Sequence, residues 1–206
     1  MKLDIKRAFL SPFSDEKWKS KIFILLLLAV TGLFLLFPFG IFIGYGLQFM
    51  HNEIHNIKPL LPDWHSNFIK YLKYGVGYFV VISMFFIFSF LLIFLFIKPF
   101  KVAFAIFMFI FSIINFTVLS LYSDKLKFSE AFYLKNFFKV ISRVQWTFLA
   151  LVLIMFLPVC MYLFIPSIEK SQLYKTIIII SYLLYPFTTL ILYNLIAQTY
   201  KKARSL

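Results

Sequence analysis

The sequence predicts an all-α, polytopic membrane protein with six crossings, arranged as three helical hairpins with amphipathic helices on the cytoplasmic side. Three observations carry that reading. First, 62% of the 206 residues are hydrophobic and 14% charged, with a mean hydropathy of +0.90; soluble domains carry nearer a quarter charged residues. Second, the apolar runs approach the length needed to cross a hydrocarbon core of about 30 Å. Third, the positive charges are distributed unevenly. With six crossings, all but Lys98, Lys101, Lys170 and Lys175 of the 21 lysines and arginines fall on one side, as the bias toward cytoplasmic positive charge requires. With five crossings the same residues divide almost evenly.

The chain reads as one membrane domain over 1–206, with polar connections too short to fold as separate modules. Residues 1–21 form an N-terminal amphipathic segment, with Leu3, Ile5, Ala8, Phe9 and Leu10 set against Lys2, Lys6 and Arg7 and a stop near Pro12. The apolar run that follows is longer than a signal peptide's and has no small-residue cleavage site, so an uncleaved anchor is expected. Ser14 is expected to cap the next helix, with Asp15 and Glu16 in its first turn.

Residues 22–56 read as hairpin 1. Their uncharged stretch, Ile22 to Met50, is too long for one straight crossing, and the turn is expected at Pro38. Residues 57–73, with Pro59, Pro62 and the apolar Phe68, Ile69 and Leu72, read as an interfacial loop and surface helix. Residues 74–123 form hairpin 2, turning at Lys98-Pro99-Phe100-Lys101. Residues 124–145 form an amphipathic helix, with Phe128, Ala131, Phe132, Phe138 and Ile141 opposite Glu130, Lys135, Lys139 and Arg143. Residues 146–200 form hairpin 3, turning at Pro166, and 201–206 is a basic tail. Both termini are therefore expected in the cytoplasm, with the protein in the cell membrane. Trp18, Trp64 and Trp146 then fall at one interface, as anchors.

Gly40 and Gly44 have the GxxxG spacing, and Gly46, Gly75 and Gly77 are the other small positions nearby. Such residues let helix backbones approach closely in lipid, so the first hairpin is expected to pack against the third crossing there. Ser112, Asn115, Asn194 and Gln198 are uncharged polar groups in apolar runs. Asn115 is the deepest and needs a partner, for which an interhelical hydrogen bond is preferred over a transport site.

His51 and His55, four apart, have the spacing of a helical metal site. Asn52 occupies the position where the zinc-protease pattern requires glutamate, so an interfacial polar face is the preferred reading and no cofactor is expected. Cys160 is the single cysteine and forms no internal disulfide. No charge is expected mid-span, which argues against proton relays and acid–base chemistry, and hence against an enzyme. The net charge of +13 lies in short segments beside apolar runs, which suits anionic lipid headgroups better than nucleic acid.

Several short motifs, Asp4-Ile5, Arg7-Ala8-Phe9, Pro12-Phe13, Asp15, Trp18, Gly44-Tyr45, Leu61-Pro62-Asp63-Trp64, Asn194-Leu195 and Gln198-Thr199-Tyr200, together resemble the membrane family called "domain of unknown function 4013". The chain departs from that pattern after Tyr45, where His51, Asn52, His55 and Asn56 stand in place of arginines. The resemblance implies an integral membrane protein and no particular activity. The function expected is that of a non-enzymatic membrane scaffold or accessory subunit, with lipid, a membrane-protein partner or a second copy of itself as partner. The alternative is a transporter component with a midplane site between helices.

Overall fold

The computed structural model describes residues 3–32, 35–64, 67–96, 100–133, 135–143 and 172–205, and these contain helices and turns but no strand. α1 (Ile5–Leu10) begins at Asp4, whose carboxylate accepts the Arg7 backbone N–H at 2.8 Å. A 3-10 turn follows at Ser11–Phe13. Its first turn accommodates Pro12, since a proline there gives up no backbone bond. Ser14 Oγ donates back to the Ser11 carbonyl, and Asp15 instead accepts the Lys17 N–H. The side chain that accepts a backbone N–H in the turn ahead of the next helix is thus that of Asp15, whereas the Ser14 hydroxyl points back to Ser11.

α2 (Trp18–Gly32) and α3 (Leu36–His55) form the first hairpin. The reversal lies before Leu36, not at Pro38. Leu35 is extended, and Pro38 sits in the first turn of α3, where its missing N–H costs nothing. α4 (Phe68–Phe96) is continuous from Phe68, so the expected surface helix before residue 74 is its first two turns. α5 is Phe100–Lys125. The amphipathic stretch beyond it is two pieces, a 3-10 turn at Phe128–Phe132 and α6 over 135–143, because Tyr133 leaves the helical region. α7 (Gln172–Ser205) contains Pro186. The expected crossing from Trp146, the turn at Pro166 and Cys160 lie outside the described residues.

Among the described residues, two helices combine crossing length with sufficient apolarity, Phe68–Ile93 and Ile106–Lys125. That is weak evidence for a membrane protein and falls short of the six expected crossings. α2 has 15 residues, or about 22 Å at 1.5 Å per residue, and is short for a crossing. α3 has the length, but its C-terminal turns hold Gln48, His51, Asn52, Glu53 and His55.

α3 is the hub, packing against α2, α4, α5 and α7. Glycines set its separation from α4. A Cβ on Gly44 would fall on the Tyr71 carbonyl, and one on Gly75 would fall on the Gly40 carbonyl. The two backbones therefore touch at a place where no side chain fits. Gly46 faces the Tyr193 ring of α7, and Gly77 faces the Tyr122 hydroxyl of α5. The five glycines thus serve three helix pairs around one core, whose centre is the fully buried Tyr45, Leu47, Phe49 and Met50.

Candidate functional site

The first residues of α2 and α4 and the last of α3, α5 and α7 gather at one end of the bundle, and there the polar chemistry collects. Three clusters of buried charge make up this layer.

In the first cluster, Glu53 is buried in the last turns of α3 with its side chain 1% exposed. It pairs with Arg7 Nη2 of α1 at 2.6 Å. The Asn194 amide of α7 donates to its other oxygen at 3.2 Å, and Gln198 donates to Asn194 at 2.7 Å. Gln198 also accepts the Asp4 N–H at 3.0 Å and donates to the Asp4 carbonyl at 3.1 Å. One carboxylate on α3 therefore fastens the N-terminal helix to the last one.

In the second, the Lys21 ammonium is buried between Asp15 (2.8 Å) and Asp63 (2.6 Å) and donates to the Leu61 carbonyl at 2.9 Å. Burial of the Asp15 carboxyl works upward on its pKa. The hydrogen bonds from Lys21 and the Lys17 N–H outweigh this and hold it below the ordinary aspartate value. The segment 57–64 is gripped from several sides. Tyr45 donates to the Pro62 carbonyl (3.0 Å), Tyr71 to that of Asp63 (2.6 Å), and the Asn52 amide to those of Pro59 and Leu60. Trp64 stacks on Tyr45 at 4.2 Å between ring centroids and donates to the Lys21 carbonyl. It is 6% exposed, so it is a core residue and not the outward anchor expected. Trp18 is half-buried and edge-on to Phe13; Trp146 lies outside the described residues.

The third cluster centres on Asp124 at the end of α5. Its carboxylate accepts from Arg204 (2.6 Å), Tyr200 (3.0 Å) and His55 Nε2 (3.1 Å). His51 Nδ1 donates to the carbonyls of Ser123 and Asp124 at 2.9 and 3.1 Å, and His55 Nε2 to that of Asp124 at 2.8 Å. Carbonyls in a last helical turn have no donor of their own, and Leu126 ends the helix in the left-handed region. The pair therefore caps α5, with His55 still exposed at the surface. His65 lies outside the described residues, and no group of three or more histidine, cysteine, aspartate or glutamate side chains suited to a metal occurs among the described ones.

Asn115 stands apart from this layer and accepts a hydrogen bond from Tyr78 of α4. Ser112 returns its proton to the Met108 carbonyl of its own helix. The four polar candidates thus divide, Asn194 and Gln198 belonging to the end layer, Asn115 to the α4–α5 contact and Ser112 to its own helix. Sequence reasoning missed Glu53 and Asp124, whose side-chain partners lie more than 40 residues away along the chain, and Lys21, whose partners Leu61 and Asp63 lie 40 or more residues away although Asp15 is only six away. The one available signal was a charged residue directly flanking an apolar run.

Of the layer's charges, Glu53, Asp124, Asp15 and the Lys21 ammonium are consumed by pairing, whereas Lys6, Lys17, Lys19, Lys58, Lys70, Lys73 and Lys139 are exposed, outnumbering the exposed acids Asp4, Glu16 and Asp63. The exposed charge of the layer is therefore predominantly basic. Around it α1 presents Ile5, Phe9 and Leu10 outward, each more than half exposed, and α6 presents Phe138 at 64%. The comparisons add nothing to this geometry: no family model, curated protein or solved structure matches the chain.

Proposed function

We propose that this protein is a non-enzymatic, multi-pass scaffold of the cell membrane, whose basic end rests on anionic lipid headgroups. The observation that carries the reading is the set of exposed lysines at this end of the bundle beside outward apolar side chains. α1 turns Ala8 inward and ties the half-exposed Arg7 to the buried Glu53, while leaving Ile5, Phe9 and Leu10 uncovered. Such a helix is matched to a boundary with acyl chains on one side. Each exposed lysine near an anionic leaflet contributes on the order of 1 kcal/mol.

The six-crossing topology, with both termini in the cytoplasm, is part of the proposal. It is supported by the reversal between α2 and α3, by the contact of Asp4 with Gln198, and by the gathering of helix ends in one layer. The short α2 then lies in a locally thinned bilayer. The resemblance noted from the sequence fits the same reading, since Asp4, Arg7, Asp15, Tyr45, Asn194 and Gln198 all bond within the layer.

The full chain in nanodiscs of phosphatidylglycerol, compared with phosphatidylcholine, tests the lipid contact. Amide hydrogen exchange over 3–14 and 135–143 is expected to slow at least fivefold with the anionic lipid; equal exchange in both sinks the reading. Topology is tested with Lys58→Cys in a Cys160→Ala background, using an impermeant thiol reagent on intact cells. Protection until lysis is expected, and labelling in intact cells refutes both the topology and the cytoplasmic placement of the layer.

A further inference from the structure

A cleft of about 220 Å³ lies between the end of α5, α6 and the end of α7. That is about seven times the ~30 Å³ share of a liquid water, enough for a phosphate group with a partial hydration shell. Its charged lining is Asp124 against Lys125, Lys139, Arg143 and Arg204. The single acid is already spent on Arg204, Tyr200 and His55. Lys125 is paired with Glu130 at 2.8 Å. Arg143 is braced by one nitrogen, Nη1, which donates to the Ala203 carbonyl at 3.1 Å.

Two helix C-termini end here, and their exposed carbonyls would ordinarily repel an anion. In this cleft those poles are answered, at α5 by His51 and His55 and at α7 by Arg143. Lys139 and the Asn136 amide then remain as donors, together with the rest of the Arg143 guanidinium. Lys, Arg and a neutral amide converging without an unspent carboxylate suit a tetrahedral oxyanion. Beside Lys139, Phe138 is 64% exposed, an apolar neighbour suited to an acyl chain.

We infer that this cleft binds the phosphate of one anionic phospholipid, with Lys139, Arg143 and Asn136 as its donors. The inference rests on the lipid-facing orientation proposed above and adds a defined, stoichiometric site to a diffuse surface. The full chain in neutral detergent is titrated with phosphatidylglycerol or phosphatidylcholine, and bound lipid is counted by native mass spectrometry.

One retained phosphatidylglycerol per chain is expected, and its retention falls about fivefold in Lys139→Ala and further in Lys139→Ala/Asn136→Ala. Lys139→Arg and the outlying Lys19→Ala should match the parent chain. Competition by inorganic phosphate, beyond that of chloride at equal ionic strength, supports phosphate recognition. Equal retention of the two lipids, or no loss in the double variant with its thermal unfolding unchanged, overturns the site. Binding of inorganic phosphate without preference for the anionic lipid overturns the lipid assignment. Exchange protection in phosphatidylglycerol nanodiscs that survives the double variant distinguishes failure of this site from failure of the broader reading.

Discussion

The Arg7–Glu53 pair should respond very differently to loss of its two members. The Glu53 side chain is 1% exposed and that of Arg7 is 47% exposed. Arg7→Met leaves a buried carboxylate with the Asn194 amide as its remaining donor. Stranding one charge of a buried pair costs about 3–5 kcal/mol, and the lower figure applies because half of Arg7 is already in solvent. Local release of α1 avoids that cost, so the defect should appear as opening of α1 and not as global unfolding. A loss of about 3 kcal/mol raises the open population roughly a hundredfold.

Glu53→Gln strands no buried charge, since Arg7 can hydrate and the new amide still accepts from Asn194. Its cost should be about 1 kcal/mol or less, under about fivefold in opening. Hydrogen exchange of peptides covering 3–14, measured in detergent, reads both. If Glu53→Gln opens α1 as much as Arg7→Met does, burial of the carboxylate is not what holds the helix, and the latch argument fails.

Two further outcomes follow from the packing and from the second cluster. Gly44→Ala sets a methyl against the Tyr71 backbone, which cannot rotate away, whereas Gly46→Ala meets the Tyr193 ring, which can. Thermal unfolding should show a loss of about 3 kcal/mol for the first and nearer 1 kcal/mol for the second; the reverse order contradicts the backbone contact. The Asp15 carboxyl has a folded pKa below the ordinary aspartate value, held there by the Lys21 and Lys17 hydrogen bonds. Its contribution is therefore present above that value and lost as pH falls through the folded pKa. Lys21→Met should flatten the acid limb of a stability–pH curve below about pH 4, and an unchanged limb would mean that the pair does not carry it.

What the sequence revealed and what it hid divide along the range of the interactions. Helices and their glycine crossing were legible because apolar periodicity and small-residue spacing act within a few residues, as Gly40 and Gly44 show. The reversal was displaced from Pro38 because a proline marks a break equally well from inside the first turn of the helix after it. Trp64 was misplaced because an indole suits both a headgroup boundary and a core, and only the Tyr45 ring decides between them. Glu53 gave no signal, since nothing local announces Arg7 or Asn194. The pairing of Asp124 with Arg204 spans 80 residues, beyond any local rule.

The clasp between Asp4 and Gln198 has a consequence for biogenesis. Its two halves stand 194 positions apart. At synthesis rates of 5–20 residues per second, roughly 10–40 s separate their emergence from the ribosome. Through that interval the nascent N-terminal helix has no α7 to dock upon, and Glu53 lacks the amide of Asn194. Closing the basic end is therefore a late step in maturation, and a ribosome stalled before Asn194 would leave α1 unfastened, a state that quality-control proteases can recognise.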